Sequence, residues 1–185
     1  MQSAIDTVLS LAREISLAVL LILGMPAGVT ATVQEASTTP DISFDAGSVY
    51  TVAKVIDGDT ISVNLDGGKK FTVRMIGVDT PEVVDPRKPV ECFGKEASEQ
   101  TKKLLTGHEV RLELDSTQGT YDKYNRVLAY VYRDDELLIN KALIEQGYGH
   151  EYTYRVPYEF QKAFKAAQKD ARDHERGLWA PGVCE

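Results

Sequence analysis

Three short stretches of this chain put acids, cations and an aromatic ring where a bend could aim them at one point. Ile56-Asp57-Gly58-Asp59-Thr60 sets two carboxylates one residue apart around a glycine, between two runs rich in β-branched residues. Arg74-Met75-Ile76-Gly77-Val78-Asp79-Thr80-Pro81-Glu82 carries an arginine on a strand and two acids just beyond it. Pro81 fixes the backbone there and holds Thr80 towards an extended conformation. Asp122-Lys123-Tyr124-Asn125-Arg126 leads two cations and an aromatic into a further strand. Carboxylates so placed can ligate a hard cation through oxygen, or act as a general base. The planar fork of arginine suits phosphate. Taken singly, each has a structural reading: DGDT is a turn, Arg74 a partner for Asp79, Glu82 a cap for the next segment, and Tyr124 a packing residue.

The elements that must hold these residues follow from periodicity. Val49 to Ile56 reads as a strand, and Thr60 to Leu65 alternates Ile61, Val63 and Leu65 with polar neighbours, as a half-buried strand does. Asp66-Gly67-Gly68 offers the positive φ angles of a hairpin turn, and Phe71 to Val78 returns as a third strand. Gly94 to Thr106 places Ala97, Thr101, Leu104 and Leu105 on one helical face and stops at Gly107. Val110, Leu112 and Leu114 alternate as a fourth strand, and Val127 to Tyr132 is the fifth. Asn140 can cap a short helix from Lys141 to Gln146. A last helix is expected from Pro157, with Phe160, Phe164, Ala167 and Ala171 as its buried stripe. The fold class is therefore α+β, mainly β: a five-stranded OB-type barrel with three helices, preceded by a hydrophobic N-terminal segment.

The chain of 185 residues suits one domain with an extension, and its 43% hydrophobic and 26% charged residues exclude a disordered or polytopic membrane protein. With 21 Lys and Arg against 28 Asp and Glu, the net charge of -7 excludes a protein that coats nucleic acid by bulk positive charge, though not a small basic site. The 2 cysteines, Cys92 and Cys184, exclude a cysteine-built structural zinc site.

No charge occurs from Ile15 to Val33, and Gly24, Pro26 and Gly28 follow the apolar core of that stretch. Val29-Thr30-Ala31 suits cleavage after Ala31, so a secretory signal is the favoured reading. An uncleaved membrane anchor and a buried helix are the alternatives, because Asp6, Arg13 and Glu14 replace the usual positive leader. The expected division is 1–31 as signal peptide or membrane anchor, 32–47 as polar linker, 48–181 as the barrel domain and 182–185 as a tail. Export, secreted or at the cell surface, would let Cys92 and Cys184 form a disulfide, and we expect them bonded; two unpaired thiols are the alternative. Loop entropy would make the bond worth about 4 kcal/mol.

The four segments IDGDT, RMIGVDTPE, FGKEAS and DKYNRVLAY, in this order, resemble the staphylococcal nuclease (thermonuclease) family from about Val49 to Trp179. The resemblance implies a Ca²⁺-dependent phosphodiesterase on an OB-fold. Such an enzyme hydrolyses DNA and RNA at the 5′ side of the phosphate and leaves 3′-phosphorylated products. By position it assigns Asp59, Asp79 and the backbone oxygen of Thr80 to Ca²⁺, and Glu82 to the attacking water. Arg74 and Arg126 fall to the phosphate, and Lys123 and Tyr124 to the nucleotide phosphate and sugar. Tyr152 or Tyr154 is the aromatic that stacks on the base. Asn125 stands where the family usually has glycine, and asparagine tolerates the left-handed region. His108, His150 and His174 are read as surface or structural residues. A monomer is expected. The rival readings are a noncatalytic OB-fold module that binds nucleic acid, and a surface protein whose acidic loop binds Ca²⁺ for structural reasons.

Overall fold

The computed structural model describes residues 45–83 and 89–184. The hydrophobic leader and most of the linker lie outside the described residues. Among the described residues no helix is long and apolar enough to cross a membrane.

Strands β1 (Val49–Asp57), β2 (Thr60–Asn64) and β3 (Lys70–Met75) form an antiparallel meander. Its inward residues, among them Ile61, Val63, Phe71 and Val73, are buried, as the period-two alternation requires. The β2–β3 turn uses Gly67 and Gly68 at φ +73° and +77°. Strand β4 is the short pair Val78–Asp79, and β5 (Glu109–Glu113) and β6 (Val127–Arg133) follow helix α1 (Gly94–Leu105). β6 lies parallel to β3 and antiparallel to β5, and β5 returns to the start of β1, closing the barrel in the order β1-β2-β3-β6-β5. Register shifts between Val52 and Lys54 and between Val55 and Asp57 allow β1 to pair with β5 at one end and β2 at the other. Helices α2 (Ile139–Glu145) and α3 (Gln161–Asp173) cover one end, and β7 (His150–Glu151) pairs with β4. The barrel with three helices is the architecture expected from the alternation.

Three local expectations are corrected. The third strand does not run unbroken to Val78, because the chain turns at Ile76-Gly77, with Gly77 at φ +76°. A Cβ there would meet the Tyr158 ring at 2.6 Å and Phe164 at 2.8 Å, so only glycine allows the turn. Asn140 does not cap a helix; it is fully buried within α2, which begins at Ile139. Its Oδ1 accepts from the Val131 N–H at 2.8 Å and its Nδ2 donates to the Ile76 carbonyl at 2.8 Å, so it satisfies backbone that the turn leaves unpaired. The last helix begins at Gln161 rather than Pro157. The Glu159 N–H goes to the carboxylate of Asp115 at 2.8 Å and Thr117 donates to the Pro157 carbonyl at 3.0 Å, which draws this segment towards the β5–β6 loop.

The expected Cys92–Cys184 disulfide is present, with Cα atoms 5.8 Å apart. His150 is half-buried against Trp179, with ring centroids 4.9 Å apart, while His108 and His174 pair with Asp134 and Asp170 near the surface.

Candidate active site

The turn between β1 and β2 delivers Asp57 and Asp59 to one end of the barrel, both buried. Gly58 between them is packed so tightly on Thr80 that a Cβ would sit 2.6 Å from the Thr80 hydroxyl. That contact locks the DGDT bend to the segment after β4. Asp59 Oδ2 accepts from the N–H of Thr80 at 2.9 Å and from its hydroxyl at 3.2 Å, while Oδ1 accepts from the Thr60 hydroxyl at 2.9 Å.

The Gly77 turn brings Arg74 and Asp79 together. Arg74 Nη1 donates to the carbonyls of Met75 and Val78, at 2.9 and 2.6 Å. Its Nη2 bridges Asp79, at 2.7 Å, and Asp59, at 3.1 Å. The pairing of Arg74 with Asp79, one of the structural readings open from sequence, is thus observed, and it coexists with a place on the wall of a cleft.

Asp57, to which the family resemblance assigns no role, is the most perturbed acid here. Burial first, then a hydrogen bond with Glu82, then the charges of Asp59 and Glu82 lift its carboxyl to about 7, against the pull of the Gly58 N–H. Its Oδ2 also accepts from the Val83 N–H at 3.4 Å, which ties the backbone after Glu82 to the pocket. The signal for it was the first carboxylate of DGDT; its partner lies 25 positions away in sequence and only folding joins them.

The opposite wall comes from the β5–β6 loop. Asp122 accepts from the N–H groups of Tyr124 and Arg126 on Oδ1, both at 2.9 Å, and holds the Arg126 guanidinium on Oδ2 at 2.7 Å. Burial alone would raise the Asp122 carboxyl, but the N–H and guanidinium of Arg126 and the N–H of Tyr124 hold it below the usual range. Asn125 takes the left-handed φ of +61° that its side chain tolerates. Asp122 is a second functional candidate not singled out from sequence, although it opens the DKYNR segment. Arg126 Nη1 reaches the Thr60 hydroxyl at 3.5 Å, so a line of polar contacts runs from Arg126 through Thr60 and Asp59 to Arg74.

A cleft of about 690 Å³ opens along this line. Arg74, Asp79, Lys123, Tyr124, Arg126, Tyr152 and Tyr154 all line it. Tyr124 is 67% exposed, with the Lys123 ammonium 4.9 Å and the Arg126 guanidinium 5.3 Å from its ring centroid. Tyr152 and Tyr154 are also exposed, with ring centroids 6.4 Å apart, so both, rather than one, are available for stacking. Asp59, Thr80 and Glu82 are not among the residues that line the cleft.

Among the described residues no group of three or more His, Cys, Asp or Glu side chains is arranged to hold a metal ion. The donor chemistry nevertheless suits a hard cation: Asp59 and Asp79 converge on one guanidinium nitrogen, and Asp57 is lifted by burial first and then by crowding with neighbouring carboxylates. A divalent cation would compete with Arg74 for these oxygens and relieve that crowding.

Fold and site together define a class: an OB-type barrel that carries buried acids and two arginines beside a cation- and tyrosine-lined cleft. A family model described as staphylococcal nuclease homologue matches residues 72–181. The chain is 46% identical over 131 residues to the thermonuclease of Staphylococcus hyicus, an overlap of 71% of this chain and 75% of that protein. It is 44% identical over 133 residues to the thermonuclease of Staphylococcus intermedius, covering 72% and 77%. With endonuclease YncB of Bacillus subtilis it shares 35% identity over 131 residues, which is 70% of this chain and 61% of that one. The chain belongs to the staphylococcal nuclease family.

Proposed function

We propose that this protein is an exported, Ca²⁺-dependent nuclease that hydrolyses DNA and RNA at the 5′ side of the phosphate, leaving 3′-phosphorylated ends. The observation that carries the reading is the polar line Arg126–Thr60–Asp59–Arg74, which joins an acidic pocket to a cationic cleft sized for a nucleotide. Membership of a family whose relatives are named thermonucleases and endonucleases supports it. Export is supported by the disulfide, which persists in oxidising compartments.

Asp59 and Asp79, with the backbone oxygen of Thr80, would hold the cation. When bound, Ca²⁺ supplies positive charge against the phosphate oxygens. Arg74 and Arg126 grip those oxygens from opposite walls, and their forked contacts strengthen as phosphorus becomes five-coordinate. Glu82 orients a water and takes its proton as the water oxygen bonds to phosphorus. The bond to the 5′ oxygen then breaks, that oxygen takes up a proton from solvent, and the phosphate stays on the 3′ end of the upstream fragment. Asp57 orients Glu82 through the hydrogen bond between them. Lys123 and Tyr124 hold the flanking phosphate and sugar, and Tyr152 and Tyr154 stack on a base.

Digestion of plasmid DNA and of RNA with Ca²⁺, with Mg²⁺ and with a chelator tests class and metal together. Cleavage of both substrates with Ca²⁺ and none with chelator is expected. Binding without cleavage in all three conditions would instead identify a noncatalytic module.

A further inference from the structure

Resting on the reading of Glu82 as the base, we infer that Glu91 positions the Glu82 backbone, and that the Cys92–Cys184 disulfide anchors Glu91 for that task. The backbone of Glu82 is clasped from both sides by one residue. Its N–H donates to Glu91 Oε2 at 3.0 Å, and its carbonyl accepts from the Glu91 N–H at 3.0 Å. A residue that engages both backbone groups of its partner, one through its side chain and one through its own N–H, fixes the orientation of that partner, not merely its neighbourhood.

Glu91 itself is exposed, so a clasp made by it alone would be worn by water and side-chain entropy. The next residues remove that freedom. The Gly94 N–H donates to the Glu91 carbonyl at 3.1 Å, and Gly94 opens α1 against the carbonyls of Pro81 and Glu82, where a Cβ would stand 3.0 and 3.1 Å away. Cys92 lies between these points and is bonded to Cys184.

The far end of that bond is itself docked. The Leu178 N–H donates to the Gly147 carbonyl at 2.8 Å, and Arg176 Nη1 donates to the Glu145 carbonyl at 2.8 Å. Trp179 lies under the Arg172 guanidinium, 4.1 Å from its ring centroid. The disulfide therefore ties the segment that clasps Glu82 to a tail seated on the end of α2, across 92 positions of sequence. A cross-link between two loose ends would do little for the site; this one joins the clasp to the folded body.

Steady-state cleavage of a single-stranded DNA oligonucleotide with Ca²⁺ by the full oxidised chain, with amide exchange at Glu82, tests the assignment. Glu91→Ala should lower kcat about tenfold with KM within twofold, and speed exchange of the Glu82 N–H. Glu91→Gln keeps an acceptor oxygen, so it should recover most of kcat and of the protection. The double variant Cys92→Ser/Cys184→Ser should lower kcat about threefold and loosen the same amide, with unchanged circular dichroism at the assay temperature. In a Glu82→Gln background, Glu91→Ala should add almost nothing, because Glu91 acts through Glu82. Multiplicative losses in that cycle, an unchanged Glu82 amide, or equal damage from Gln and Ala would overturn the assignment. An inactive parent chain would instead remove the nuclease reading, so the two failures are distinguishable.

Discussion

At one end of the site Asp57, Asp59 and Thr80 are buried, and Asp59 is hydrogen-bonded to Thr80 across the Gly58–Thr80 packing. At the other end Tyr124, Tyr152 and Tyr154 stand in solvent on a loop and a strand end. The pocket is costly to form, since carboxylates are crowded out of water, and it lifts Asp57 to about 7. The cleft costs little, and its order depends on two acids whose carboxylates are taken up by the protein's own donors. Asp122 shapes the DKYNR loop, and Asp115 fastens its base to the segment before α3. On the proposed reading, crowded charge in the pocket serves the chemical step, while the exposed rings and a lysine serve binding. Substitutions at the two ends should therefore split between kcat and KM.

Arg126 sits where the ends meet, and its replacement should have the largest effect of this set. Arg126→Lys keeps the charge and loses the fork, so kcat should fall about 10², near 2.7 kcal/mol of transition-state free energy, with a smaller change in KM. A loss confined to KM would move Arg126 to the binding end.

Asp115 sharpens the comparison through stability. Its carboxylate accepts from the N–H and hydroxyl of Thr117, the Tyr130 hydroxyl and the Glu159 N–H. Burial alone would raise this carboxyl, but the Tyr130 hydroxyl, the Glu159 N–H and Thr117 hold it below the usual value. Asp115→Asn must turn an NH₂ towards one pair of donors, at a cost of roughly 2 kcal/mol. Because the folded pKa is depressed, the contribution is present above about 3.9 and is lost as pH falls through the lower folded value. Urea unfolding of parent and variant should differ at pH 7 and converge towards pH 3. A gap independent of pH would show that the charge is not what stabilises.

For Asp122→Asn, kcat should fall about tenfold, since the amide cannot match both the backbone and the guanidinium it now holds. Single-turnover rates with a fluorescent oligonucleotide would measure this. At the exposed end, Tyr154→Ala should raise KM about threefold and leave kcat within twofold, the loss of one stacking platform in water. A kcat effect there would break the division between the two ends.

Much of this was legible in the sequence for physical reasons. Alternation marks half-buried strands, so the meander, its Asp66-Gly67-Gly68 turn and the α1 stop at Gly107 were visible. The segments that hold Asp59, Asp79, Arg74 and Arg126 stood out as clusters of acids and cations, and the resemblance to the nuclease family supplied the roles expected of them. What sequence did not reveal depends on partners supplied by folding. Asn140 looks like a cap until the Gly77 turn leaves the Ile76 carbonyl needing a donor. Pro157 looks like a helix start until Asp115 claims the Glu159 N–H. Asp57 and Asp122 carry acids in plain view, but their roles come from Glu82 and Arg126, one distant and one fixed by a loop whose shape only the fold defines.

The central claim is that the buried end performs the chemistry, with Glu82 as the base. Single-turnover cleavage by Glu82→Gln, with nucleotide binding measured on the same sample, addresses it most directly. The account predicts binding within twofold of the parent and cleavage slower by about 10² or more. Cleavage within about threefold of the parent, roughly 0.7 kcal/mol, would contradict it.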